Sequence, residues 1–257
     1  MEDKNECFCE YLDLPTGNFM GQDIHMMTMS ETVGVISDRV KHGIFTQHVV
    51  VNVAKLVNMR RDKKLKQSVD CCDLINIDGM GVVWGARLCG HKVPERVAGV
   101  DLFINLLSES ANQAFPVFFL GARQEVVQKT VQRVQRQFPQ LNIAGYHHGY
   151  FWDDEQAVVD KIQKSGAKLL FVAISSPKKE NFINKWKDRL GVCFVMGVGG
   201  TFDVLAGKTK RAPLWMQKYG LEWFFRFLQE PRRMWRRYLT TNLAFALELL
   251  KQKFVRV

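Results

Sequence analysis

Short apolar runs alternate with amphipathic stretches along most of this chain, and that alternation restricts the fold more than any other feature. His48 to Asn52 (HVVVN) is followed by an amphipathic stretch through Val57. Asp73 to Ile77 (DLINI) leads into Met80 to Leu88, and Pro116 to Leu120 (PVFFL) leads into Gln124 to Phe138. Asn142 to Tyr146 precedes Asp153 to Lys164, Lys168 to Ile174 precedes Pro177 to Leu190, and Val192 to Val198 precedes a helix from about Thr201. This is the rhythm of βαβ units. Strands that are nearly continuous Val, Ile, Leu and Phe fit a parallel sheet buried on both faces by helices. The expected fold is α/β, a Rossmann-like, mostly parallel sheet with helices on both faces, over residues 33–212. Residues 1–32 show no clear periodicity and are expected to form a loosely ordered leader. From Pro213 the pattern is helix without strand, so residues 213–257 are expected to form a basic, aromatic helical appendage.

The distribution of charge supports that division. The 257 residues carry 36 Lys plus Arg against 26 Asp plus Glu, a formal balance of +10. Residues 207–257 hold 12 basic and 3 acidic side chains, so the first 206 residues are close to neutral. A 47% hydrophobic fraction with 24% charge argues against a disordered chain. No apolar run approaches the roughly 18 to 20 residues that a membrane-spanning helix needs. The opening MEDKNECFCE is acidic and lacks the positive and apolar regions of a signal peptide, which predicts a protein that stays in the cytoplasm. Six cysteines show no C-x-x-C pair and no His at zinc-site spacing, so no metal site is expected.

Several strand ends carry glycine or small polar residues before a helix start: Asp78-Gly79, Gly121-Ala122, Ser175-Ser176-Pro177 and Gly197 to Thr201. In an open α/β sheet, ligands bind outside the carboxyl ends of the strands, where helix N-termini offer free N–H groups to phosphate. Such a rim suits a nucleotide, although a tight βα turn asks for the same glycines. The dinucleotide fingerprint and the P-loop are both absent. In the appendage, Trp215, Tyr219 and Trp223 recur at four-residue spacing, and Arg232, Arg233, Arg236 and Arg237 form a basic stripe interleaved with Met234, Trp235, Tyr238 and Leu239. A helix of that kind can lie on an anionic membrane. Alternatively, it packs its aromatics on the main domain and solvates its arginines.

The densest cluster of unusual residues is NIDGMGVVWGARLCGHKVPERVAGVD, Asn76 to Asp101. It resembles the signature of the WecG/TagA/CpsF family of bacterial glycosyltransferases. Four later segments resemble further motifs of that family, in order: GYHHGYF (Gly145 to Phe151), SPKKE (Ser176 to Glu180), GVGGTFDVLAGKTKRAP (Gly197 to Pro213) and GLEWFFRFLQEPRRMWRRY (Gly220 to Tyr238). The likeness runs from about residue 33 to 240. It implies inverting transfer of a hexose or N-acetylhexosamine from a UDP-sugar to a polyprenyl-diphosphate-linked sugar. That reaction belongs to cell-surface polysaccharide assembly and takes place at the cytoplasmic face of the membrane, without a cofactor.

The resemblance implies Asp78 as general base and Arg96 as a cation for the diphosphate. Inversion asks one carboxylate to take the acceptor hydroxyl's proton, while cations stabilise the departing UDP. Structural alternatives are a helix cap for Asp78 and an ion pair with Glu95 or Asp101 for Arg96. The resemblance further implies Tyr150 for stacking on uracil, Asp203 for ribose or uracil, Gly199 and Gly200 for close approach of the diphosphate, and Asn52 near the donor sugar. Arg226, Arg232 and Arg236 would close over the lipid diphosphate. No Asp-x-Asp occurs in the chain, so the metal clamp built on that triplet is not expected. Two departures bear on the sugar: Val50 stands where the family often has Thr, and Lys179 where it has Gln. Lys179 is expected either to pair with the diphosphate or to point to solvent, and the donor is expected to be N-acetylmannosamine or glucose. Rival readings are a nucleotide-dependent Rossmann-type enzyme of another class and a nucleic-acid-binding protein using the C-terminal segment. The favoured reading expects no nucleic acid and leaves a homo-oligomer open. It also expects deletion of residues 213–257 to leave the α/β domain folded.

Overall fold

The computed structural model describes residues 14–254. The main sheet consists of six strands: β3 (Thr46–Val51), β4 (Leu74–Ile77), β5 (Val117–Gly121), β6 (Ile143–His147), β7 (Leu169–Ala173) and β8 (Phe194–Gly197). They lie in the order β4-β3-β8-β7-β5-β6, and every pairing is parallel. Strands β5, β7 and β8 are buried along their whole length, while β6 at one edge is half-buried throughout. That explains why the central strands read as unbroken apolar runs and why the segment at 143–147 is more mixed in composition.

Each face of the sheet carries helices. Helices α1 (Met29–Lys41), α5 (Gly99–Asn112), α6 (Gln124–Gln137) and α9 (Thr201–Leu205) cover one face over an aromatic core. In that core Phe103 meets Phe171 edge-on, ring centroids 4.7 Å apart, with Phe119 and Phe202 alongside. On the other face α2 (Val53–Arg61), α3 (Lys63–Asp70) and α4 (Met80–Leu88) pack against β3 and β4. Helices α7 (Glu155–Lys164) and α8 (Lys178–Trp186) pack against β5, β7 and β8. The alternation of the strand side chains separates these cores: Phe119 and Phe171 face one side, Phe118, Leu170 and Val172 the other.

Residues 16–25 differ from the expected loose leader. Strands β1 (Thr16–Phe19) and β2 (Gln22–His25) form an antiparallel hairpin whose Phe19 and Ile24 are fully buried. The Ile75 N–H donates to His25 Nδ1 (3.0 Å), and Asn76 Nδ2 donates to the His25 carbonyl (3.3 Å). Asn76 Oδ1 also meets Nε2 of the buried His48, at 3.0 Å. The hairpin's order thus comes from partners some fifty residues away, which no local periodicity reveals. Residues 1–13 lie outside the described residues.

Three helices follow the last strand: α10 (Leu214–Lys218), α11 (Glu222–Gln229) and α12 (Pro231–Phe254). They are attached to the body rather than appended loosely. Met234, Thr241 and Phe245 are buried along one side of α12, with Phe245 joining the core beneath β3 and β4. Gly220, whose φ of +72° lies in the left-handed region, comes so close to α4 that a Cβ there would stand 2.7 Å from Met80 Cγ. No described helix is long and apolar enough to cross a membrane.

Candidate active site

The C-terminal helices close over the carboxyl ends of β3 and β4 and leave a cleft of about 370 Å³. Asp78 stands at its floor because β4 ends one residue earlier: the Asp78 N–H donates to the Val51 carbonyl (2.9 Å) and completes the ladder. The next helix begins so close to α2 that a Cβ on Gly79 would lie 3.3 Å from Asn52 Cβ, and one on Gly81 2.9 Å from Val53 Cγ2. Glycine at these two positions keeps the floor narrow and the carboxylate uncrowded. Gly79 is the N-cap of α4, and no side chain caps that helix. The Asp78 carboxylate is therefore not spent on a cap.

Burial pushes the Asp78 carboxyl up to about 6, against the pull of Arg96, the Gly99 N–H and Arg226, while Glu222 reinforces the rise. A Cβ built on Gly99 would stand 3.5 Å from Val50 Cγ2 and 3.6 Å from Asp78 Oδ2. The valine thus puts methyl groups near the carboxylate where a threonine would offer a hydroxyl. Asn52 Oδ1 accepts the Lys55 N–H at 3.0 Å as the N-cap of α2, so its amide NH2 is the group left to donate into the cleft.

Arg96 lines the same cleft, and its partner is neither Glu95 nor Asp101. Its Nη1 donates to Glu222 Oε2 (3.0 Å), while Glu95 accepts from the Met29 N–H and Asp101 takes a bidentate pair from Arg211 (2.6 Å each). Arg211 Nε also lies 3.8 Å from Glu222 Oε1. Arg226, one turn beyond Glu222 on α11, reaches toward the glycine loop: its Nη2 lies 3.4 Å from where a Gly200 Cβ would be. Of the expected residues, Asn52, Asp78, Arg96 and Arg226 line the cleft, and Gly200 stands beside it.

The others lie elsewhere. Gly199 has φ of +53° with open space beside it, and Asp203, in the first turn of α9, pairs loosely with Lys208 at 3.6 Å. Tyr150 is 66% exposed beyond the end of β6, at the opposite edge of the sheet from Asp78. Lys179 neither points to solvent nor lines the cleft. It is buried under Gly197, with Nζ 2.9 Å from Glu180 Oε1, an oxygen that Lys55 Nζ meets at 2.8 Å. Those two ammonium groups overcome the desolvation of Glu180 and hold its carboxyl down to about 2. Arg232 and Arg236 are exposed on α12, and the side chains of Arg233 and Arg237 lie outside the described residues. Sequence reasoning missed Glu222 and Arg211, along with Trp84 and Trp223, which line the cleft wall. Among the described residues, no three His, Cys, Asp or Glu side chains could hold a metal ion.

The family model for the "Glycosyl transferase WecG/TagA/CpsF family" matches residues 17–257. The chain belongs to this family. It is similar to a Bacillus spizizenii protein named N-acetylglucosaminyldiphosphoundecaprenol N-acetyl-beta-D-mannosaminyltransferase, 42% identical over 168 residues. That match covers 65% of this chain and 65% of the relative, just under two thirds of its length. A Bacillus subtilis protein of the same name is 34% identical over 193 residues, covering 75% of this chain and 74% of the relative. The family match includes the C-terminal helices that carry Glu222 and Arg226, so those helices belong to the family's chain and are not an addition peculiar to this protein.

Proposed function

We propose that this member of the WecG/TagA/CpsF family transfers a sugar from a UDP-sugar to a polyprenyl-diphosphate-linked sugar, with inversion. The observation that carries this reading is a carboxyl group held near pH 6 at the floor of a cleft whose wall supplies two guanidinium groups. At neutral pH Asp78 is ionised yet basic enough to take the proton of an acceptor hydroxyl as its oxygen attacks the anomeric carbon. Arg96 and Arg226 would meet the charge that builds on the departing diphosphate, and Asn52 would orient the sugar between them. The names of the two Bacillus relatives support N-acetylmannosamine as donor. Glucose is the second reading: Val50 departs from the family's Thr close to Asp78, which leaves the donor open between the two sugars. Incubation with a panel of UDP-sugars and short lipid-diphosphate sugars, with and without EDTA, followed by mass spectrometry of the product, tests the reading. Absence of a glycosylated lipid with every donor would sink it.

The acceptor's lipid places the reaction at a membrane surface, and the C-terminal helices suit that location. Leu214 and Trp215 on α10, Tyr219 just after it, and Trp235, Leu239 and Leu243 on α12 are exposed, as are Arg232 and Arg236. Exposed aromatics and leucines next to arginines fit the interface of an anionic bilayer. Binding to vesicles containing anionic lipid is expected to weaken as salt is raised. Replacing Arg232 and Arg236 together with Gln is expected to weaken it by roughly tenfold or more, at about 1 kcal/mol per basic residue near the surface. Equal capture by zwitterionic vesicles at all salt concentrations would count against the contact, and tight RNA or DNA binding in its place would favour the nucleic-acid reading.

A further inference from the structure

The cleft holds a second carboxylate, and it comes from the C-terminal helices. We infer that Glu222 is a positioning residue for the transfer reaction: it fixes Arg96 beside Asp78 and tempers the positive field that the surrounding guanidinium groups impose on that carboxylate. The inference rests on the reading of Asp78 as general base.

Three cations act on Asp78. Arg96 comes from the loop after α4, Arg226 from α11, and Arg211 from the segment before α10. The N–H of Gly99, at the start of α5, adds a hydrogen bond to the carboxylate. From α2 and α4 the cleft receives Asn52, Met80 and Trp84, none of them charged, and from α12 the uncharged Tyr238 and Asn242. Left to these groups, the carboxylate would be a weak base, because neighbouring cations favour its ionised form. Glu222 opposes them. Its Oε2 accepts from Arg96 Nη1 at 3.0 Å, and its Oε1 faces Arg211 Nε at 3.8 Å, so one carboxylate engages two of the three cations. The remaining carboxylate nearby, Asp101, is tied bidentately to Arg211 and lowers that residue's share of the field. Glu222 is carried by α11, which shares a helix face with Arg226 at four-residue spacing. Docking α11 therefore delivers a cation for the diphosphate together with a counter-charge that adds to the effect of burial in keeping the base strong.

The test uses the full chain with Glu222→Gln, which can still accept a hydrogen bond from Arg96 while losing its charge. Aspartate carboxyl carbons are labelled with carbon-13, and the Asp78 resonance is identified by its absence in Asp78→Asn. In Glu222→Gln the Asp78 titration midpoint is expected to fall by on the order of one pH unit. Arg226→Gln, which removes a cation from the same cleft, is expected to move it the opposite way. The acidic limb of kcat/KM should follow the resonance in each variant, and in Glu222→Gln kcat should drop while KM for the UDP-sugar does not rise. An unmoved Asp78 resonance in Glu222→Gln, or movement in the same direction in both variants, overturns the inference. A resonance that moves while the activity profile stays in place upholds the role of Glu222 in the field and removes Asp78 from the role of base.

Discussion

Asp78→Asn is expected to lower turnover by on the order of a thousandfold while UDP still binds. Asparagine has nearly the same shape and can accept the Gly99 hydrogen bond that Asp78 accepts, but it cannot take a proton from the acceptor hydroxyl. The cations of the cleft are untouched, so the diphosphate keeps its partners. In the unaltered protein kcat/KM should fall about tenfold per pH unit below roughly 6, as protonation removes the base. Stability should move in the other direction. The Asp78 carboxyl sits higher in the folded chain, at about 6, than its ordinary 3.8, so the folded state favours the protonated form. That penalty is absent at low pH and grows as pH rises through this window. Asparagine never ionises, and the variant should melt at or above the temperature of the parent at pH 7.5. Single-turnover kinetics, a UDP titration and a thermal scan together decide the matter. Near-normal turnover in the variant would show that the base lies elsewhere.

The residues that the sequence could and could not reveal differ in how they reach the cleft. Asp78 and Asn52 follow adjacent parallel strands, so the pattern of apolar runs already places both at the same end of the sheet. Arg96 is close to Asp78 along the chain and belongs to the same unusual cluster. Glu222 and Arg211 lie more than a hundred residues further on, in a segment whose charges read as a solvated helical surface. Only the folding back of α11 over the sheet turns Glu222 into a cleft residue, and no helical or strand period encodes that contact. One clue stands in the run GLEW, where one of the three acids of residues 207–257 interrupts a strongly basic segment of the chain. Lys179 illustrates the opposite difficulty. Its substitution was plain in the sequence, yet its direction was decided by Glu180, which draws the ammonium group inward together with Lys55.

Phe245→Ala is expected to cost about 3 to 5 kcal/mol of stability, the usual range for removing a buried phenylalanine. The ring lies in the core beneath β3 and β4, with its centroid 6.2 Å from that of Phe19. Its Cζ approaches α4 so closely that a Cβ on Gly85 would stand 3.0 Å away. The ring thus joins three pieces of the chain that are distant in sequence: the β1–β2 hairpin, α4 and α12. Arg60 Nη1 and Glu248 Oε2, 2.6 Å apart, add a half-exposed tie between α2 and α12 that cannot replace it. Leu243→Ala, two residues earlier on the exposed side of the same helix, should change stability by about 0.5 kcal/mol or less. Urea unfolding of the two variants measures the contrast, and similar small losses in both would mean that α12 does not pack as described. The same packing bears on deletion of residues 213–257. That cut would strip Phe245 and Met234 from their buried places and expose Phe19 and the neighbouring valines of α4 to water. The α/β body and the C-terminal helices therefore share one core, and a protein shortened in this way should lose stability as well as any membrane contact.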